Sequence, residues 1–215
     1  MYYELLKMRK PMDMEKYTLK DLALYFEKFD GYVCKITTNV GIIRFKFSVD
    51  SFPHLIGMQY AYKNRRDRKS YKGRQGFEKV KNGEVTYDEL KRIVKTDPKI
   101  NFSWKNIDSR IRFLPMFLNS ITTKTQLKTT LAVHNPERAT QIKGTYFLYR
   151  ELYDGTTPMF SLKPFSKTGA VIETFVVDDD KSIIKGLKEI KIKDIELIDP
   201  LENTSPILKK ETIKS

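Results

Sequence analysis

Apolar positions recur with a helical period early in the chain and with a two-residue period at two later places. Between Thr18 and Phe29, Leu19, Leu22, Ala23 and Phe26 share one helical face. Thr18 and Asp21 have the spacing of an N-terminal cap, and Gly31 follows at the stop. Ile43, Phe45 and Phe47 then alternate with Arg44, Lys46 and Ser48. That alternation predicts a β-hairpin of strands over 32–38 and 42–49 around Asn39-Val40-Gly41. Asp50 or Ser51 next caps a short predicted helix with Pro53 in its first turn, carrying His54, Leu55 and Met58.

Residues Lys63 to Arg74 show no apolar periodicity, and with Gly73 and Gly76 they predict an exposed loop over 63–76. Short helices over 77–81 and 86–96 flank Asn82-Gly83, with Thr86 and Glu89 spaced as a capping box. Ile107, Ile111, Leu114, Leu118 and Ile121 predict an amphipathic helix from about 106 to 122, where Pro115 should introduce a bend or a boundary.

From Thr125 the character changes. Stretches 126–133, 144–152, 159–164 and 170–177 are rich in β-branched and aromatic residues. Turns at Asn135-Pro136, Asp154-Gly155 and Lys167-Thr168-Gly169 separate them, which predicts an antiparallel meander. A short helix near 182–187 and a strand near 190–198 follow. No repeat or low-complexity linker interrupts the chain. The pattern therefore predicts one α+β domain over 1–200: an N-terminal helix and hairpin, a helical insertion, and an antiparallel sheet of three to five strands. Residues 201–215 read as a polar tail.

Composition narrows the function. Hydrophobic residues make up 40% of the chain and aromatic ones 12%, enough to build a core against chain entropy. The net charge of +13 is the strongest global signal and favours a polyanionic partner. A lone cysteine, Cys34, excludes an internal disulfide and a multi-cysteine zinc site, and its strand context predicts a buried thiol. No apolar run approaches the roughly 18–20 residues that cross a bilayer, and the charged N-terminus lacks a signal-peptide core. No membrane partner is expected, and a cytoplasmic location is.

Metal and nucleotide motifs are absent from the sequence: no glycine-rich phosphate loop, no His-Glu-x-x-His, no paired Cys-x-x-Cys, no Gly-x-Ser-x-Gly elbow. Asp178-Asp179-Asp180 reads as an acidic turn more readily than as a cation site. Metal-independent RNA cleavage suits what remains, because the ribose 2′-hydroxyl is itself the nucleophile. The protein need only move protons and stabilise a charge-rich transition state. No cofactor is implied.

His54, placed near a helix start, is a candidate general base, against a packed histidine satisfied by a backbone carbonyl. His134 reads as an exposed turn residue. Arg110 lies close to the buried stripe of its helix, where it could reach a phosphate or form a structural salt bridge, and Arg112 sits beside it. Ser161 and Lys163 alternate with Phe160 and Leu162, so both could point from one sheet face toward a phosphate. The basic segment carries Lys63, Arg65, Arg66, Arg68, Lys69, Lys72 and Arg74, interleaved with Tyr60, Tyr62 and Tyr71. Such a combination can contact phosphates and stack on unpaired bases.

Phe52-Pro53-His54-Leu55-Ile56-Gly57 resembles the F-x-H-L-x-G signature of the barnase–EndoU–colicin–RelE (BECR) nuclease superfamily, in the branch carried by phages and conjugative elements. Three further segments agree in order. Phe77-Glu78-Lys79 through Gly83-Glu84-Val85-Thr86 is similar to its helical insertion, and Ile107-Asp108-Ser109-Arg110-Ile111 to its arginine-bearing helix. Gly144 to Tyr149 with Met159 to Leu162 resembles its closing strands. The likeness spans roughly residues 30–176, departing in the basic loop and after residue 178. It implies an α+β fold and a metal-independent ribonuclease, with His54 as acid/base residue, Arg110 as the phosphate-binding arginine and Ser161 as a strand hydroxyl.

Three readings compete. The first is a phage or mobile-element ribonuclease, a toxin or host-takeover effector acting on tRNA or other RNA in the cytoplasm of a bacterial host. The second is a non-catalytic nucleic-acid-binding module. The third is an inhibitor whose basic face docks on a host protein of a defence complex. An immunity protein is a further candidate partner.

Overall fold

The chain was analysed as a computed structural model that describes residues 2–122, 129–133, 142–180 and 182–201. His134, the Asn135-Pro136 turn, the first half of the strand expected over 126–133 and the tail beyond 201 lie outside the described residues. Helices α1 (Leu19–Glu27), α2 (Phe52–Leu55), α3 (Met58–Ala61), α4 (Gly73–Lys81), α5 (Tyr87–Thr96) and α6 (Trp104–Thr122) combine with strands β1 (Val33–Thr38), β2 (Ile42–Lys46), β3 (Thr130–Val133), β4 (Tyr146–Tyr149), β5 (Thr157–Pro164), β6 (Gly169–Asp178), β7 (Lys188–Ile190) and β8 (Ile192–Ile198). The α+β class agrees with the sequence pattern. The expected three to five strands do not: one sheet of eight strands forms, in the order β7-β3-β4-β5-β6-β2-β1-β8.

Two features enlarge the sheet. The hairpin β1–β2 joins the meander through a short parallel pairing of β2 with β6, at Arg44–Gly169 and Phe45–Ala170. The expected strand over 190–198 is two strands, broken at Lys191: β7 pairs with β3 and β8 with β1, at opposite edges. In a flat sheet of eight strands those edges would stand roughly 34 Å apart, at about 4.8 Å per strand. One residue bridges them here, so the sheet curls into a nearly closed barrel. The backbone N–H of Asn39 donates to the Lys191 carbonyl at 3.1 Å across the join. The helix expected at 182–187 is a series of turns.

Local sequence signals explain most of the helices. The Thr18 hydroxyl accepts from the Asp21 N–H at 3.2 Å while the Asp21 carboxylate accepts from the Thr18 N–H at 2.9 Å, a complete capping box on α1. Thr86 caps α5 by accepting from the Glu89 N–H at 3.2 Å. Pro115 sits within α6, which continues through it for 19 residues. The segment expected as a loop over 63–76 is only partly one: Arg68–Tyr71 forms a 3₁₀ turn, and α4 begins at Gly73, four residues before the expected start.

Edge-to-face aromatic contacts tie the layers together. Phe77 of α4 meets Phe52 of α2 at 5.6 Å between centroids, and Phe52 meets Phe26 of α1 at 5.3 Å. Phe47 connects Phe26 to Phe160 of β5, which meets Phe117 of α6 at 4.9 Å and Phe175 of β6 at 5.5 Å. All are fully buried. This chain of rings fixes α2, α6 and β6 relative to one another, and those three elements carry the site below. Cys34 lies in the same core, its thiol pushed up to about 12 by burial.

Buried Asn119 of α6 anchors the N-terminal segment. Its side-chain carbonyl accepts from the Tyr25 hydroxyl at 2.7 Å, and its amide donates to the Leu5 and Met8 carbonyls at 2.5 and 3.1 Å. Replacing Asn119 with Leu removes all three bonds, leaving Tyr25 only the Pro115 carbonyl at 3.3 Å and Leu5 only the Met8 N–H at 3.2 Å. Urea unfolding should show a loss of about 2–3 kcal/mol, with the first residues becoming protease-sensitive.

Candidate active site

His54 is set by an abrupt turn. Phe52 and Pro53 are buried on α2, and Gly57 immediately afterwards adopts φ +79°, a left-handed conformation that disfavours any side chain. A Cβ at Gly57 would lie 3.1 Å from Ile107 Cγ1 and 3.5 Å from Arg110 Cδ. The glycine of the F-x-H-L-x-G stretch thus permits both the turn and the close approach of α6. His54 itself is half-buried, and its Nδ1 lies 2.7 Å from the nitrogen of the Gln59 side-chain amide. Burial lowers its pKa, with the Arg110 and Lys72 charges acting in the same direction and the Glu173 backbone and charge opposing. The positive end of a helix, which a place near a helix start would suggest, is not the cause, because α2 has four residues and His54 lies in its last turn.

Arg110 and Arg112 part company in the structure. Arg112 Nε pairs with Asp108 at 2.7 Å and its other nitrogens reach Tyr87 and the Met12 carbonyl, a structural network. Arg110 is 6% exposed, and among the described residues no carboxylate pairs with it. Its guanidinium lies 5.5 Å from the ring centres of both Tyr60 and Phe102, and Nη1 makes a long 3.4 Å contact to Thr174 Oγ1. Burial pulls its pKa down. A buried cation with only two stacked rings beside it and a distant hydroxyl is electrostatically incomplete, and a phosphate would complete it.

The third member, Glu173, was not singled out from sequence. Register between β5 and β6 shifts there: Ser161 pairs with Thr174 and Leu162 with Ile172, leaving Glu173 as the extra residue of a bulge. A bulge re-aims a side chain, and this one turns Glu173 into the cavity that His54 and Arg110 also line, about 400 Å³ in volume. Its carboxylate accepts from the Ser161 hydroxyl at 2.8 Å and from the Lys143 N–H at 3.1 Å. The one available signal was a lone carboxylate inside Ala170-Val171-Ile172-Glu173-Thr174-Phe175.

Ser161 is fully buried, and its hydroxyl is directed to Glu173. The expected outward pair with Lys163 does not form: Lys163 is exposed opposite Val171 and does not line the cavity. Gly144 sits over the Ser161–Glu173 bond, where a Cβ would fall 1.9 Å from Ser161 Oγ and 3.1 Å from Glu173 Oε2.

The basic segment divides in two. Lys63, Arg66, Arg68 and Lys69 are exposed, with no ion pair among the described residues. Arg65 pairs with Asp67 at 3.0 Å, and Arg74 lies within 3.3–3.5 Å of Asp50 and Asp30. Tyr71 is buried and stacked on Tyr62 at 3.7 Å, so its ring packs inward instead of lying open to a base. Lys72 reaches closest to the chemistry: with Pro53, Gln59 and Gly73 it lines a smaller cavity of about 130 Å³ on another side of His54. Asp178 and Asp180 accept from the Ser182–Ile183 turn, and Asp179 pairs with Lys105. Among the described residues, no group of three or more His, Cys, Asp or Glu is placed to hold a metal ion.

A histidine, a carboxylate and an arginine without a carboxylate partner among the described residues thus line one cleft, a set chemically able to bind an anionic group beside proton-transferring side chains. Residues 18–197 match the family described as phage-Barnase-EndoU-ColicinE5/D-RelE like nuclease4 (PBECR4), and the chain belongs to that family. Membership implies a nucleic-acid substrate. No curated protein and no solved structure matches the chain. No helix among the described residues is long and apolar enough to cross a membrane.

Gly144→Ala should cost about 1–3 kcal/mol in denaturant unfolding, because the new methyl displaces the Ser161–Glu173 pair. The lowered pKa of His54 carries a pH signature. Its contribution to stability is complete above the usual histidine value of about 6.5 and is lost as pH falls through the folded value. Between about pH 7 and 5, wild type should therefore lose more stability than His54→Gln, read by urea midpoints.

Proposed function

We propose that the chain is a metal-independent endoribonuclease of phage or mobile-element origin, acting as a toxin or host-takeover effector. The observation that carries this reading is the meeting of His54, Arg110 and Glu173 in one cavity, with Arg110 buried and without a carboxylate partner among the described residues. Cleavage of RNA by its own 2′-hydroxyl needs a proton acceptor, a counter-charge for the crowded phosphate and a proton for the departing 5′-oxygen. Burial keeps the His54 imidazole neutral and so suits it to accept the 2′-hydroxyl proton.

The Glu173 charge and backbone favour the imidazolium that then forms. Its proton is available to the 5′-oxygen, directly or through a water. Arg110 neutralises charge on the phosphate as it becomes pentavalent, in a setting where low dielectric strengthens the attraction. Ser161 and the Lys143 N–H hold Glu173 in place, and Gly57 and the Tyr60–Phe102 stack hold Arg110. The exposed cations Lys63, Arg66, Arg68 and Lys69, with Lys72 beside His54, supply non-specific attraction for the backbone of the nucleic acid.

RNA cleavage in EDTA tests the whole reading. Wild type should cut, His54→Ala and Arg110→Ala should each lose at least about 100-fold in rate, and Lys163→Ala should stay near wild type. Undiminished cutting by His54→Ala, or an absolute need for a divalent cation, would refute it. Tight salt-dependent binding without any cutting would favour a non-catalytic nucleic-acid-binding module.

A further inference from the structure

The cavity is larger and more apolar than a phosphate requires. His54, Arg110, Glu173 and Thr174 occupy one part of its wall; Tyr60, Phe102, Ile142, Val176, Val177 and Ile183 make up most of the remainder. Its volume of about 400 Å³ lies in the range of pockets that enclose whole small molecules. Tyr60 and Phe102 stack at 3.9 Å with planes 8° apart, a rigid aromatic pair at the foot of the Arg110 guanidinium. The half-buried aliphatic residues leave apolar surface facing into this space. A single polar side chain outside the charged group, the amide of Asn106 in the first turn of α6, completes the lining. The Lys105–Asp179 ion pair joins that turn to the segment after β6 that carries Ile183.

We propose that the apolar part of this cavity is a slot for one unstacked nucleobase, with the adjoining phosphate on Arg110 and the base edge read by Asn106. The inference rests on the nuclease reading above and specifies its substrate. A flat ring satisfies an aromatic and aliphatic wall, and an amide offers a donor and an acceptor side by side to a base edge. A base in the slot cannot remain paired or stacked in a helix. The target is therefore a single-stranded, looped or bulged nucleotide.

Calorimetry in EDTA with inorganic phosphate, ribose 5-phosphate, the four nucleoside 3′-monophosphates and the free nucleosides separates the two readings. At least one nucleotide should bind at least about tenfold more tightly than ribose 5-phosphate. Ile183→Ser should remove that gain while leaving ribose 5-phosphate binding unchanged, and Asn106→Ala should change the ranking of the four bases. Thermal unfolding midpoints show that both variants are folded. If no base improves on ribose 5-phosphate, the slot is overturned while the anion site on Arg110 stands. If nucleosides bind with the same ranking and phosphate adds nothing, the slot stands and the anion site falls.

Discussion

Burying the Arg110 guanidinium without a carboxylate partner among the described residues is the most demanding thing this fold does. Removing such a charge from water costs several kcal/mol even after relaxation, and the surroundings return only part of it through the neighbouring Tyr60 and Phe102 rings and a long contact to Thr174. A side chain in that position would turn outward unless packing forbade it. Here Gly57 lets α6 approach α2 closely, and the aromatic chain from Phe77 through Phe52 and Phe160 to Phe117 holds both helices against β6. The core thus carries the strain of an unfinished electrostatic site.

Each group around the cavity is oriented by something that does not touch it. Glu173 is aimed by a missing step in the β5–β6 register and steadied by Ser161, which Gly144 leaves room for. His54 is held by Gln59, on a helix too short to contribute a dipole. Two of the chain's glycines are therefore part of the site without bearing any functional group. Their effect is steric, through the atoms they lack.

Features that depend on nearest neighbours in the chain were legible. The capping box at Thr18, the hairpin, the meander β4–β6 and the long helix α6 follow from periodicity and caps. The motif around His54 and the position of Arg110 were legible for the same reason, being a short linear pattern and an arginine beside an apolar stripe. What escaped was long-range. The pairing of β7 with β3 and β8 with β1 links segments more than fifty residues apart, and no local period encodes it. The bulge hides for a subtler reason: one extra residue in β6 re-aims Glu173, and alternation along β5 says nothing of the Glu173 carboxylate and Gly144 that cover Ser161. Tyr71 shows the same limit, since its burial depends on Tyr62 across a 3₁₀ turn.

The near-closed sheet also bears on when the molecule becomes complete. Its two edges are joined through residues 188–198, so β1 and β3 lack a partner on one side until that stretch has been synthesised. During translation α6 and β6 emerge before β7 and β8 do, so the helices and the central strands are available to pack while both margins of the sheet are still unpaired. Closure of the sheet is therefore the last step that the order of synthesis allows.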